Sequence, residues 1–256
     1  MSNANTYWDR HVSASNLPGD EALTPETWPE EIAFYLTPEQ EFAHREMGPL
    51  PSRHIAEIGC GVGVHAIYLA REGAWVAAVD PSVQRLKVLK GVAARMGLNG
   101  RIHPICARAE RLPFREGVLD AAYTKASLIH TDLSAALGEC RRVLRPGGRG
   151  VFCEPTASNP FARLYRRFCA PAEWRTITRY FSRAEEKIIE RVFGNLQFGS
   201  FYLFGFLAFY WQFGRRRLRR FKRWLRVLHA LDRALFALCP PLRRLAWFRV
   251  YVVERR

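Results

Sequence analysis

Residues 54–63 read His54-Ile55-Ala56-Glu57-Ile58-Gly59-Cys60-Gly61-Val62-Gly63. A short apolar run carrying Glu57 stops at three alternating glycines, and a helical pattern follows from Val64 to Arg71. This reads as a strand, a tight turn and a helix. Glycine tolerates positive φ and lets a ligand lie against bare backbone. The first turn of the following helix directs its N–H groups toward bound negative charge. Gly59, Gly61 and Gly63 are therefore candidate ligand contacts.

Downstream the pattern repeats. Ala74 to Val79 reads as a second buried strand ending at Asp80. Ser82 to Met96 reads as a helix, Arg101 to Cys106 as a third strand and Leu119 to Thr124 as a fourth. Leu133 to Leu144 is helical and stops at Arg145-Pro146-Gly147-Gly148, and Gly150 to Glu154 makes a fifth strand. Apolar strands alternating with helices need crossover connections. The fold class is therefore α/β: a doubly wound, mostly parallel, Rossmann-like sheet with helices on both faces. Such sheets bind ligands at the carboxyl ends of their strands. Asp80, followed by Pro81, lies at such an end and can accept both hydroxyls of a ribose. It could instead cap the next helix, but Ser82 can do that work.

Upstream, Thr24-Pro25-Glu26 and Thr37-Pro38-Glu39 predict helices over 25–36 and 38–47, with Thr as N-cap and Pro at the first helical position. Beyond Pro155 the chain changes character. Residues 159–170 form a basic segment, Ser182 to Phe193 a helix with Gly194 after it, and Leu196 to Phe204 a sixth strand. Residues 206–246 are helical, aromatic and basic, and Phe248 to Val253 form a last strand.

The 256 residues are 48% hydrophobic and 25% charged, which is ordinary globular composition. Of the net charge of +15, +12 lies in residues 214–256, where thirteen Arg and one Lys face only Asp232 and Glu254. An anionic surface would meet this part of the chain. Six scattered cysteines without Cys-x-x-Cys argue against a zinc site or a disulfide scaffold, so no metal is expected. His11, His44, His54, His65, His103 and His229 share no metal spacing. No secretory leader and no apolar run of transmembrane length are visible, so the expected location is cytoplasmic, with a peripheral position at the inner face of the membrane.

With its glycine turn and Asp80, the chain resembles a class I S-adenosylmethionine-dependent methyltransferase of the small-molecule and lipid type, over roughly residues 50–155. The resemblance implies that Glu57, Gly59, Gly61 and Gly63 hold the methionine portion of S-adenosylmethionine and that Asp80 holds its ribose. Leu112-Pro113-Phe114 matches the family's third motif, but Arg108 stands where an Asp that reaches the adenine is usual. Adenine recognition then falls to the Ala109 backbone or to Glu110. Leu119-Asp120-Ala121-Ala122 and Val143-Leu144-Arg145-Pro146-Gly147-Gly148 match the fourth strand and the turn before the fifth. Tyr7-Trp8-Asp9 resembles the aromatic start of these enzymes, which places Tyr7 over the cofactor. A nicotinamide dehydrogenase is the runner-up, but its G-x-G-x-x-G needs glycine where Val64 stands.

The segment after the fourth strand runs Lys125-Ala126-Ser127-Leu128-Ile129-His130, at the mouth of the sheet. Lys125 is assigned to the cofactor. His130 could take a proton from the acceptor as the methyl group moves; it could equally be a packing histidine. Glu154, at the end of the fifth strand, could face the acceptor or be a satisfied strand-end carboxylate.

The resulting division is an N-terminal helical cap (1–50), a cofactor-binding core (51–200), a basic aromatic helical insertion (201–247) and a final core strand (248–256). On a helix, Leu218, Phe221, Leu225 and Leu228 share one face and arginines occupy the rest, a pattern suited to an anionic bilayer surface. The expectation is methyl transfer to a hydrophobic small-molecule or lipid-like acceptor. RNA methylation is an alternative, although no RNA-binding module accompanies the basic helix and a nucleic-acid partner is disfavoured. A non-catalytic membrane-surface protein on the same scaffold is the other.

Overall fold

The computed structural model describes residue 8 and residues 24–168, 170–214 and 217–256. Helices α1 (Trp28–Tyr35) and α2 (Pro38–Glu46) precede the sheet. α1 starts later than predicted, because Thr24 and Thr27 bond to each other in a turn ahead of it. Thr37 has the extended backbone of an N-cap, but its hydroxyl donates backward to the Tyr35 carbonyl (3.3 Å).

The alternating region folds in the order read: β1 (His54–Ile58), α3 (Val64–Arg71), β2 (Trp75–Asp80), α4 (Val83–Arg95), β3 (Ile102–Cys106), β4 (Leu119–Lys125), α5 (Leu133–Val143) and β5 (Leu144–Pro155), with β5 starting at Leu144 rather than Gly150 because Leu144 pairs with Leu119 ahead of a bulge. Then come α6 (Pro160–Phe168), a helical turn at Trp174–Ile177, α7 (Arg183–Phe193), β6 (Gln197–Phe201), α8 (Leu218–Leu238) and β7 (Phe248–Glu254). The Ser182 hydroxyl accepts from the Ala184 amide and Glu185 reaches back to the Ser182 amide, a capping box. Gly194 closes α7 at φ 74°.

Strand order is β3-β2-β1-β4-β5-β7-β6. β1 to β5 run parallel, while β7 is antiparallel to both β5 and β6. Register aligns Ile58 with Val79 and with Thr124, and Lys125 with Cys153, so the carboxyl ends of β1, β2 and β4 meet at one edge of the sheet. Apolar side chains fill both faces. Ile55, Ile67, Leu69 and Tyr123 are buried on one, and Ile58, Leu137, Phe152 and Ile189 on the other.

The sixth strand ends at Phe201, short of the predicted Phe204, because the chain turns sharply at Tyr202 (φ 67°). The buried Asp232 carboxylate of α8 then accepts from the amides of Leu203 (3.0 Å), Phe204 (2.8 Å) and Gly205 (2.9 Å). The region predicted as one helical run is broken into a 3-10 turn (Gly205–Ala208), a π turn (Tyr210–Gly214), α8 and a 3-10 segment (Pro240–Leu245). The α8 face assigned to a bilayer is used by the protein. Phe221 and Leu225 are buried, Phe221 stacks on Phe34 at 6.0 Å, and Leu218 and Leu228 pack on the same core. An apolar face that can reach the body of the fold buries there first, since that removes the same area from water within one chain.

Candidate active site

The glycine turn is held from beneath. The amides of Gly59 and Cys60 donate to the Val79 carbonyl of β2 (2.7 and 3.0 Å). Gly59 and Gly63 have φ of 76° and 84°, and each also makes room for a neighbour. A Cβ on Gly59 would lie 2.3 Å from the Ser127 Cβ, and one on Gly63 would lie 2.2 Å from a Leu89 methyl. These two glycines thus let the β4 loop and α4 close onto the turn.

Asp80 is the hub. Its buried carboxylate accepts from the Gly61 amide (Oδ2, 2.8 Å) and the Ser82 amide (Oδ1, 2.8 Å), tying the glycine turn to the start of α4. Ser82 caps α4 by accepting from the Arg85 amide (3.3 Å). A carboxylate can accept about four hydrogen bonds, so holding these two amides does not bar it from sugar hydroxyls.

Around this edge lies a cavity of about 260 Å³. Of the residues singled out from the sequence, Gly59, Asp80, Pro81, Arg108, Ala109, Glu110, Lys125 and His130 line it. Four others do not. Glu57 is buried behind the turn, where burial pushes its carboxyl up to about 8; Oε2 has no partner there. Gly61 and Gly63 contribute through the turn rather than the wall. Glu154 is fully buried behind the β4 loop, with burial raising its carboxyl to about 7. Its Oε1 accepts from the Thr124 hydroxyl (2.8 Å) and the amides of Ser127 (3.3 Å) and Leu128 (3.2 Å), so it fastens the loop that carries His130. Tyr7 lies outside the described residues.

Sequence reasoning gave Arg85 no role, and within Tyr7-Trp8-Asp9 it chose Tyr7 rather than Trp8; Trp8 and Arg85 also line the cavity. The Arg85 guanidinium sits 4.4 Å from the Trp8 ring centre, and Trp8 meets His130 edge-on at 5.5 Å. The available signals were an aromatic pair at the start of the chain and an arginine three residues after the Ser82 cap.

His130 follows β4 in a single 3-10 turn (Leu128–His130). Its Nδ1 lies 2.8 Å from the Ile177 carbonyl. A carbonyl only accepts, so Nδ1 carries the hydrogen and Nε2 keeps its lone pair. Burial lowers the pKa of His130 below 6.5, which keeps the ring neutral at pH 7. Lys125 pairs with the buried Glu39 of α2 at 3.1 Å. Burial alone would raise the Glu39 carboxyl, but Lys125 and the Tyr202 hydroxyl outweigh it and hold the group charged.

Arg108, in the place of the family's Asp, turns to Glu110 (3.4 Å), and Glu110 also accepts from the Asp132 amide at 3.0 Å. The Leu112-Pro113-Phe114 turn is clamped by α5. The Leu112 amide donates to Glu139, and Arg142 donates to the carbonyls of Leu112 and Phe114. Among the described residues no group of three or more His, Cys, Asp or Glu is arranged to hold a metal ion.

A family model described as a methyltransferase domain matches residues 56–152. Among curated relatives, demethylmenaquinone methyltransferase of Mycolicibacterium gilvum is 36% identical over 125 residues, covering 48% of this chain and 51% of that protein. The O-methyltransferase cnsE of Penicillium expansum is 34% identical over 122 residues, 45% of this chain and 44% of its own. The chain thus spans about half the length of the curated relatives it matches. Among solved structures, geranyl diphosphate C-methyltransferase from Streptomyces coelicolor superimposes with a TM-score of 0.57 at 18% identity, over 84% of this chain and 77% of that one. The [4+2]-cyclase SpnF does so with 0.54 at 18% identity, over 84% and 80%. At these identities the structures speak to the fold alone. Strand order, glycine turn and strand-end Asp80 fall together with the matched residues: over 56–152 the chain is similar to a methyltransferase domain.

Proposed function

We propose that the chain transfers a methyl group from S-adenosylmethionine to a hydrophobic small-molecule or lipid-like acceptor presented at an anionic membrane surface. One observation carries the catalytic part: Asp80, the Gly59 turn and the neutral His130 border the same strand-end cavity. The residues fit the cofactor. Asp80 offers a carboxylate to the ribose, and Ala109 and Glu110 offer backbone and side-chain acceptors to the adenine. The glycine turn offers a close backbone approach to the methionine portion, backed by the buried Oε2 of Glu57. Bound there, S-adenosylmethionine supplies an electrophilic methyl group on a sulfonium.

The chain's own residues then position and deprotonate. His130 presents Nε2 as base because the Ile177 carbonyl holds the Nδ1 hydrogen. The buried Glu154 fixes the turn that carries it. Trp8 and Arg85 wall the cavity. Alignment of donor and acceptor supplies the rest of the rate. The membrane part rests on the +12 charge of residues 214–256 and on α8, where Arg219, Arg223, Arg226 and Arg233 are all exposed.

Incubating a lipid extract with the protein and methyl-labelled cofactor, followed by mass spectrometry, should show labelled apolar product. With that acceptor, kcat/KM should fall as pH drops through a limb below 6.5, because His130 must be neutral to act. His130→Gln should remove the limb and lower kcat about 100-fold or more. A variant with unchanged rate and unchanged pH profile would exclude His130 as the base.

Arg108 has a smaller expected effect. Its guanidinium makes a half-exposed pair with Glu110, so Arg108→Ala should change S-adenosylhomocysteine affinity by less than about 1 kcal/mol in calorimetry. A loss well beyond that would make the guanidinium itself part of the cofactor site.

A further inference from the structure

We propose that α6 (Pro160–Phe168) is the element that enters the lipid, with Phe161, Leu164, Tyr165 and Phe168 inserting at the acyl boundary of an anionic bilayer. This rests on the membrane-surface function proposed for the chain and names the segment that makes the contact. The four side chains fall at i, i+3, i+4 and i+7, the spacing that normally faces a core. Here they are 42%, 59%, 54% and 70% exposed.

The helix is mounted with its apolar stripe outward and an arginine inward. Arg166 donates to the Thr156 carbonyl (2.7 Å) and lies 3.4 Å from the Tyr180 ring centre, and only Ala162 is buried. Asn159 anchors the start: its Oδ1 accepts from the Ala162 amide (2.8 Å), and its Nδ2 donates to the Leu245 carbonyl (2.9 Å). These bonds hold the helix from its other side, and at the start of the stripe Phe161 stacks on Phe206 (5.4 Å) and meets Phe204 (5.8 Å), so Leu164, Tyr165 and Phe168 form its outermost part.

Charge selects the partner. No acidic residue lies between Glu154 and Glu173, and the exposed Arg163 and Arg167 flank the stripe. The Ser158 hydroxyl donates to the Arg244 carbonyl at 2.5 Å, bringing the exposed Arg243 and Arg244 alongside. A second copy of this chain would set arginine against arginine, whereas anionic headgroups neutralise them. Apolar side chains in the acyl boundary with arginines at headgroup level is the arrangement of an interfacial helix.

Position links the contact to the chemistry. The excursion from β5 to α7 that carries α6 also supplies the Ile177 carbonyl to His130 and an Arg179 amide to the Ile129 carbonyl (2.7 Å). An acceptor leaving the bilayer at α6 would meet the wall of the cavity within the same segment.

The test is sedimentation with vesicles of phosphatidylglycerol and phosphatidylcholine. Leu164→Gln with Phe168→Gln should weaken partitioning roughly 10-fold or more at low salt, while leaving the salt dependence, the melting curve and S-adenosylhomocysteine binding as in the unaltered protein. Replacing Arg219, Arg223 and Arg226 with Gln should instead flatten the salt dependence. If the unaltered protein binds these vesicles and the double variant binds equally well, the α6 assignment is overturned while the membrane reading stands. If the unaltered protein ignores anionic vesicles, both fail. Self-association without lipid that the double variant abolishes would assign the stripe to a second copy and overturn the proposal.

Discussion

Asp80→Ala should weaken S-adenosylhomocysteine binding by roughly 100-fold or more in calorimetry. Hydrogen bonds to a charged group contribute about 1.5–3 kcal/mol each, and a ribose offers two hydroxyls. The same substitution removes the acceptor for the Gly61 and Ser82 amides, so the glycine turn loosens from α4 as the ribose contact is lost. Asp80→Asn separates the two effects, since its single carbonyl can still hold one amide. It should melt closer to the unaltered protein yet bind the cofactor product poorly. Unchanged affinity in both variants, or tight binding of a nicotinamide cofactor with none of S-adenosylhomocysteine, would refute the assignment of this edge.

The largest stability loss is expected far from that cavity, at Asp232→Ala. One buried carboxylate accepts from three consecutive amides, those of Leu203, Phe204 and Gly205. Removing it orphans all three, and each orphaned buried amide costs about 1–3 kcal/mol. Water entering the space relieves part of this. A net loss of about 3 kcal/mol is expected, which for a chain of this size lowers Tm by roughly 6–12 °C. Thermal unfolding followed by circular dichroism measures it directly. A shift below about 2 °C would mean that water replaces the carboxylate without cost.

The cofactor half was legible because it is local. Alternating glycines, a strand-ending Asp80 and a Ser82 cap are constrained by neighbours within a few residues, and the chain folds there as read. What could not be read depends on partners distant in sequence. Asp232 in a basic helix looks like a solvated charge until the turn after β6 is folded against it. Glu154 has the same sequence context whether it faces an acceptor or, as here, fastens the β4 loop from behind. The periodicity of α8 and α6 names an apolar face in each helix but not what covers it. α8 buries its face against Phe34 and the core, while α6 is turned outward by Arg166 and Asn159. Trp8 and Arg85 meet only because a residue ahead of the sheet reaches α4.

The position of β7 bears on how the chain is made. The last strand in the sequence is not an edge strand; it sits between β5 and β6, antiparallel to both. During synthesis, β1 to β5 emerge with the flank of β5 unpaired, and they stay so until all of 201–247 has been translated. An open edge of this kind invites pairing with another nascent chain. The basic helices preceding β7 therefore occupy the interval of greatest risk. Their mutual repulsion between chains favours solubility while the slot waits for its strand. The parallel half can collapse early, but the sheet closes only once β7 has been made.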